Sequence, residues 1–176
     1  MSEPFSRVVR IDALAPEGQT FELEASAAER EALAKSYGLP SIESLRATLT
    51  VKRAGAGGAR VRGAVHGELT QTCVVSLEPF PAAVDEEVDV RFAPPAEEKP
   101  GRRPSEEPLT VTMDEDEPDP LIDGKIDLGA LAAEFFALGL DPYPRKPGAT
   151  FEPPTDDTHE ASPFSTLAER SEKRRN

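Results

Sequence analysis

The stretch LRATLTVKRAGAGGARVRGAV, Leu45 to Val65, decides the fold. In it Leu45, Ala47, Leu49 and Val51 alternate with Arg46, Thr48, Thr50 and Lys52. Successive strand residues point to opposite faces, so a period of two marks a strand with one buried and one wetted side. Ala54-Gly55-Ala56-Gly57-Gly58 supplies the backbone freedom of a reversing turn, after which Val61, Val65, Leu69, Cys73, Val75 and Leu77 keep odd-numbered parity along a second, longer strand. The two form a hairpin. Gly63 and Gly67 share the inward parity of the second strand, which predicts a bend or bulge there, as in a sheet that curls around its core.

Beyond the hairpin, Pro79 to Pro81 is expected to break the ladder before Val84, Glu86, Val88, Val90 and Phe92 resume alternation against Asp85, Glu87, Asp89 and Arg91. Glu86 on the apolar side calls for an edge position or a partner. Before the hairpin, Phe5 to Ile11 and Thr20 to Leu23 have strand composition, with the turn-prone Ala15-Pro16-Glu17-Gly18 between them. Ser26-Ala27-Ala28-Glu29 has capping-box spacing, and Gly38 followed by Pro40 is a stop, so a helix is predicted from about Ala27 to Tyr37. Near the other end, Asp123-Gly124 is a turn and Asp127 an N-cap. Leu128, Leu131, Phe135 and Leu138, widened by Ala132 and Phe136, form the apolar stripe of a second helix closed by Gly139 and Pro142.

The chain of 176 residues has room for one ordinary domain. With 18 Pro, 8 Phe, 2 Tyr and no Trp, its core must be small and aliphatic. The predicted fold class is α+β: a strongly twisted, partly closed antiparallel sheet with two packing helices, contained in residues 1–144. A flexible, acidic, proline-rich insertion is expected at about 94–120, where nine acids and three bases occur. The Leu109 to Met113 run inside it is the one place for a further short strand. Residues 145–176 read as a proline-rich linker and tail, with a short helical segment near 163–170 started by Ser162 and Pro163.

No apolar run is long enough for a membrane span, and Met1 to Arg10 lacks the apolar stretch of a secretory signal, so a cytoplasmic protein is expected. One cysteine, Cys73, and two histidines, His66 and His159, offer neither an internal disulfide nor a common metal-ligand spacing, and no nucleophile–base pair is apparent. No catalytic residue, metal, cofactor or small-molecule substrate is therefore assigned. The net charge of −13 opposes whole-surface binding to phosphates, which requires clustered cations.

Three stretches resemble the YceD family, the large ribosomal RNA subunit accumulation proteins. Thr72-Cys73-Val74-Val75-Ser76-Leu77-Glu78-Pro79 is similar to the family's Cys-x-x-Cys-Leu-x-Pro segment, carried here by Cys73, Leu77 and Pro79. Asp123, Gly124, Ile126, Asp127, Leu128 and Gly129 match its turn into a helix, and Ser162-Pro163-Phe164 with Leu167 is similar to its short ending. The second cysteine of the pattern is Ser76 here, so no thiol pair or metal knuckle can operate. The resemblance implies a non-catalytic factor in large-subunit biogenesis, with precursor ribosomal RNA or a basic ribosomal protein as partner.

Between Glu43 and Glu68 there is no acid, while Arg46, Lys52, Arg53, Arg60 and Arg62 all fall on the hairpin. They are the candidate RNA contacts; the plainer reading is that they pair with Asp85, Glu87 and Asp89 on a neighbouring strand. The acidic run Asp114 to Asp119 suits a basic protein or simple solubility. Phe164 and Leu167 are candidate docking anchors on a terminus that otherwise frays. Cys73 reads as a core residue and both histidines as surface residues. Asp123 and Asp127 read as a turn residue and a cap rather than paired carboxylates. The alternatives to ribosomal binding are a metal-dependent RNA-processing enzyme, which would require clustered acids on a rigid element, and an acidic interaction module unrelated to ribosomes. The sequence leaves the oligomeric state open.

Overall fold

The alternation after Ser41 becomes two long antiparallel strands, β3 (Ser41–Ala54) and β4 (Gly58–Thr72), joined by a single 3-10 turn over Gly55–Gly57. The computed structural model describes residues 4–95 and 118–151. In chain order the strands are β1 (Val8–Arg10), β2 (Gln19–Glu24), β3, β4, β5 (Pro79–Ala93), β6 (Asp119–Pro120) and β7 (Lys125–Asp127). The helices are α1 (Ala27–Tyr37), between β2 and β3, and α2 (Leu128–Leu138), after β7. The fold is α+β: a five-stranded sheet in the order β2-β3-β4-β5-β6, antiparallel apart from the short β5–β6 pairing, and a small β1–β7 sheet beside it.

The inner face of the large sheet carries Leu45, Leu49, Val51, Val61, Val65 and Leu69, each no more than 1 % exposed, and α2 covers it with Leu128, Leu131, Ala132 and Phe136. Phe136 packs on β4 where Gly67 has no side chain, and its ring lies 6.3 Å from that of Tyr37 on α1. Removing a buried ring of this kind costs about 3–5 kcal/mol, so this contact is among the strongest that hold helix to sheet. Among the described residues no helix is long and apolar enough to cross a membrane.

Local chemistry set both helices as expected. Ser26 and Glu29 form the reciprocal capping box of α1, and Gly38 ends it in the left-handed conformation. Asp127 caps α2. The stripe of α2 differs at its end: Leu138 is 70 % exposed, because Phe136 and Ala132, rather than Phe135 and Leu138, face the sheet most directly. The leading segment supplies β1 and β2 as expected, and β1 pairs with β7 far along the chain.

Three expectations about the sheet are corrected. Pro79 and Pro81 do not break the ladder: β4 and β5 pair from Ala59↔Phe92 to Thr72↔Pro79. An edge strand tolerates proline wherever the missing N–H would face away from the neighbour. Conversely, β4 stops at Thr72, and Cys73 to Glu78 form the turn into β5, with Leu77 at φ 60° and 76 % exposed. Finally, the β3–β4 register runs unbroken past Gly63 and Gly67, the irregularity lying instead between Ile42 and Ser44. The glycines serve close approach: a Cβ at Gly63 would collide with the Thr48 carbonyl, and one at Gly67 would meet the Phe136 ring. The strand candidate Leu109 to Met113 and the helical candidate near 163–170 lie outside the described residues.

A methyl group at Gly63 has backbone to displace and no flexible neighbour to move. Gly63→Ala should therefore lower stability by roughly 1–3 kcal/mol in urea unfolding, whereas Ala64→Ser, on the exposed face one residue on, should stay within about 0.5 kcal/mol.

Candidate functional site

Alternation places Arg46, Thr48, Thr50 and Lys52 of β3 on the outer face, beside Arg60, Arg62, Ala64 and His66 of β4 and Asp85, Glu87, Asp89 and Arg91 of β5. The register then sorts them into rows. Lys52, Arg60 and Arg91 stand side by side across three strands, and Thr50, Arg62 and Asp89 form the next row. Arg60 grips Asp89 with two hydrogen bonds of 2.7 and 2.8 Å, and Arg62 reaches the same carboxylate at 3.1 Å. The Arg60 guanidinium holds Asp89 below the usual carboxylate range. Among the described residues on these three strands, Lys52, Arg60, Arg62 and Arg91 thus gather at one end of the outer face, with Asp89 bound by Arg60 and Arg62.

The opposite end is acidic. The row Glu22, Thr48, Ala64 and Glu87 has no base, and in the row beyond it Arg46 pairs with Glu24 at 3.4 Å and His66 with Asp85 at 2.6 Å. The five predicted contacts are therefore not one patch. Lys52, Arg60 and Arg62 come together. Arg46 lies rows away among acids. Arg53 turns toward the chain's own start, donating to the carbonyls of Ile11 at 2.8 Å, Leu14 at 2.8 Å and Asp12. It clasps the turn after β1. Sequence reasoning missed Arg91 as a member of the row: its outward parity was visible, but which residue of β4 it faces is a matter of register.

Cys73, Leu77 and Pro79 belong to the β4–β5 turn. Cys73 N–H donates to the Glu78 carbonyl and Leu77 N–H to the Cys73 carbonyl, both at 2.9 Å. The buried Sγ accepts the N–H groups of Val75 and Ser76 at 3.4 Å. The Ser76 hydroxyl first, then the N–H groups of Ser76, Lys146 and Val75, favour the thiolate and bring its pKa down from 9.0 to about 6. Cys73 is buried as expected, yet it organises a turn instead of lining a strand. The segment after α2 closes over it, with Val74 N–H on the Pro144 carbonyl at 2.9 Å and Lys146 Nζ on Glu78 at 2.8 Å. Nothing in the sequence linked Lys146 to Cys73, because the contact is set by where α2 ends.

The second motif segment joins β7 to α2. Asp123 (φ 53°) and Gly124 (φ 64°) make the tight reversal that lets Lys125 N–H reach the Ile122 carbonyl at 3.0 Å. Ile126 and Leu128 are buried, and Gly129 packs so closely on the backbone of Phe5 and Arg7 that a Cβ would lie 2.8 Å from both. Asp127 Oδ1 accepts the N–H groups of Gly129 at 3.0 Å and Ala130 at 3.1 Å, and that of Arg7 at 2.7 Å. It caps the helix and holds the N-terminal segment at once. Phe164 and Leu167 lie outside the described residues.

A family model described as Large ribosomal RNA subunit accumulation protein YceD matches residues 61–174, well over half of the chain. No curated protein and no solved structure matches.

Burial alone would raise the Asp127 carboxyl, but the hydrogen bonds from Ser6, Arg7, Ala130 and Gly129 outweigh it and hold the group below its ordinary value. A depressed carboxylate contributes stability that is present above the unfolded pKa of about 3.9 and lost as pH falls through the folded value. Asp127→Asn should therefore be less stable than the parent by about 1–2 kcal/mol at neutral pH, and the gap in urea midpoints should narrow below about pH 4.

Proposed function

The chain belongs to the YceD family of large ribosomal RNA subunit accumulation proteins, and we propose that it takes part in large-subunit biogenesis by binding precursor ribosomal RNA through the cationic end of its sheet. The observation that carries this reading is the row Lys52, Arg60 and Arg91 with Arg62 beside it, of which Arg60 and Arg62 share the carboxylate of Asp89. Phosphates on a duplex or a fold of RNA are spaced to meet such a row, and each neutralised phosphate releases counterions, the term that drives sequence-independent binding. Local cations act in spite of the net charge because opposing charges more than about 8–10 Å away are screened at physiological salt.

Among the described residues no stacking aromatic is interleaved with these cations on the outer face, which suits contact with backbone and shape better than readout of single-stranded bases. In this reading the protein holds RNA and does no chemistry on it, in the cytosol where precursor particles are built. A basic ribosomal protein is the second partner the family role admits, and the acidic rows around Glu22, Asp85 and Glu87 are what favours it.

Binding of a large-subunit precursor fragment, measured across a potassium chloride series, should depend steeply on salt. Replacing Lys52, Arg60 and Arg62 together by Gln should flatten the slope of log affinity against log salt by about two. An unchanged slope would remove the cationic row from the reading. The RNA should stay full length through the incubation, and shortening that EDTA prevents would favour the metal-dependent enzyme instead.

A further inference from the structure

Among the described residues, most of the β5 edge of the large sheet has no strand beside it. Among the described residues, β6 pairs only with Phe92 and Ala93, and no backbone group is bonded to the rest of that edge from Ala83 to Asp89. The parity of the edge follows from one bond: Leu121 N–H donates to the Ala93 carbonyl at 2.7 Å, so Ala93 turns its backbone away from β4. Backbone direction alternates along a strand, and the odd-numbered Ala83, Asp85, Glu87 and Asp89 therefore present their N–H and C=O groups to the open side. Pro79 and Pro81 have the same parity, and this is why β4 pairs past them undisturbed.

An added strand would meet two different neighbourhoods. On the outer face its side chains would lie beside Asp85, Glu87 and Asp89. On the inner face they would lie beside Val84, Glu86, Val88 and Val90, under the flank of α2. Tyr37 packs on the Ala133 and Phe136 side of that helix, with its hydroxyl donating to the Ala133 carbonyl at 3.1 Å. Helical spacing puts Leu131 and Phe135 on the other flank, and Gly139 at the end of the helix lies so close to Val84 and Glu86 of β5 that a Cβ would meet both side chains.

We propose that this edge is a strand-addition site for an extended segment of a basic protein, in which Lys or Arg alternates with apolar residues. Main-chain bonds would supply affinity, while cross-strand pairing of cations with Asp85 and Glu87 and of apolar side chains with Val84 and Val88 would supply selection. A second copy of the chain is disfavoured, because self-pairing sets Asp85, Glu86 and Glu87 against one another. The same charges guard the edge against indiscriminate association. The stretch from Ala83 to Asp89 spans about 20 Å and takes a partner segment of roughly seven residues. This inference does not rest on RNA binding by the cationic row.

The test uses the full chain and a synthetic peptide of roughly nine residues that alternates Lys or Arg with Val or Thr. Its controls are a Glu-for-Lys version and one with the same residues in blocks. The alternating basic peptide should bind and protect the amides of Ala83, Asp85, Glu87 and Asp89 from hydrogen exchange, while the controls should not. Glu87→Pro removes one edge amide and should weaken binding roughly tenfold, as should Asp85→Lys with Glu87→Lys, which leaves the edge amides in place. Lys52→Gln with Arg62→Gln should leave peptide binding unchanged. Binding that ignores both edge variants would overturn the proposal, as would protection of these amides before any peptide is added, which would mean that another segment of this chain covers the edge. Loss of RNA binding in the edge variants with no peptide protection would also overturn it and assign the edge to RNA.

Discussion

The structure depends on one contact, the seating of Phe136 against the bare backbone of Gly67. A sheet with one apolar face needs a second layer to exclude water from it. The missing side chain at Gly67 lets the ring of α2 reach the middle of β4, while Gly63 admits the Thr48 carbonyl close above it. Tyr37 then leans on the same ring, so the two helices share one anchor on the inner face. Asp127 fixes the other end of α2 by capping it and by binding the backbone of Arg7. With both ends held, the helix cannot slide along the sheet, and its free flank stays over the edge of β5.

That arrangement separates two kinds of surface. Among the described residues no layer lies on the outer face of the sheet, and its charges are segregated by register. Cations gather where β3, β4 and β5 meet the Gly55–Gly57 turn, and acids gather toward the opposite end. Such a gradient gives the molecule an electrostatic direction that its net charge alone does not show. The Cys73 turn is held by its own hydrogen bonds. Ser76 stands where the family pattern has a second cysteine, and its hydroxyl and N–H satisfy the Cys73 sulfur within the turn.

Much of this was legible in the residues. The hairpin of β3 and β4, the alternation of β5, the capping box at Ser26 and the cap at Asp127 all came from patterns spanning fewer than about twenty residues. Pro79 and Pro81 were misread because proline is compatible with a strand on one parity and not on the other, and parity relative to a neighbour is invisible until the neighbour is known. Leu138 was misread because helical spacing defines an apolar stripe without saying which part of it meets the sheet. Arg53 was counted with the surface cations, yet three backbone carbonyls of the Ile11 to Leu14 turn claim its guanidinium.

The sequence by itself determined the β3–β4 hairpin, the alternation of β5 from Val84 to Phe92, and both helices with their caps, since these follow from dihedral preferences and hydrogen bonds among near neighbours. Only the tertiary structure decided that β1 joins β7, that Arg91 stands beside Arg60, that Pro144 and Lys146 close over Cys73, and that β6 meets β5 at Phe92 and Ala93. Those are pairings between segments distant in the chain. They are chosen by how the two layers pack as a whole, and no local pattern of residues encodes that choice.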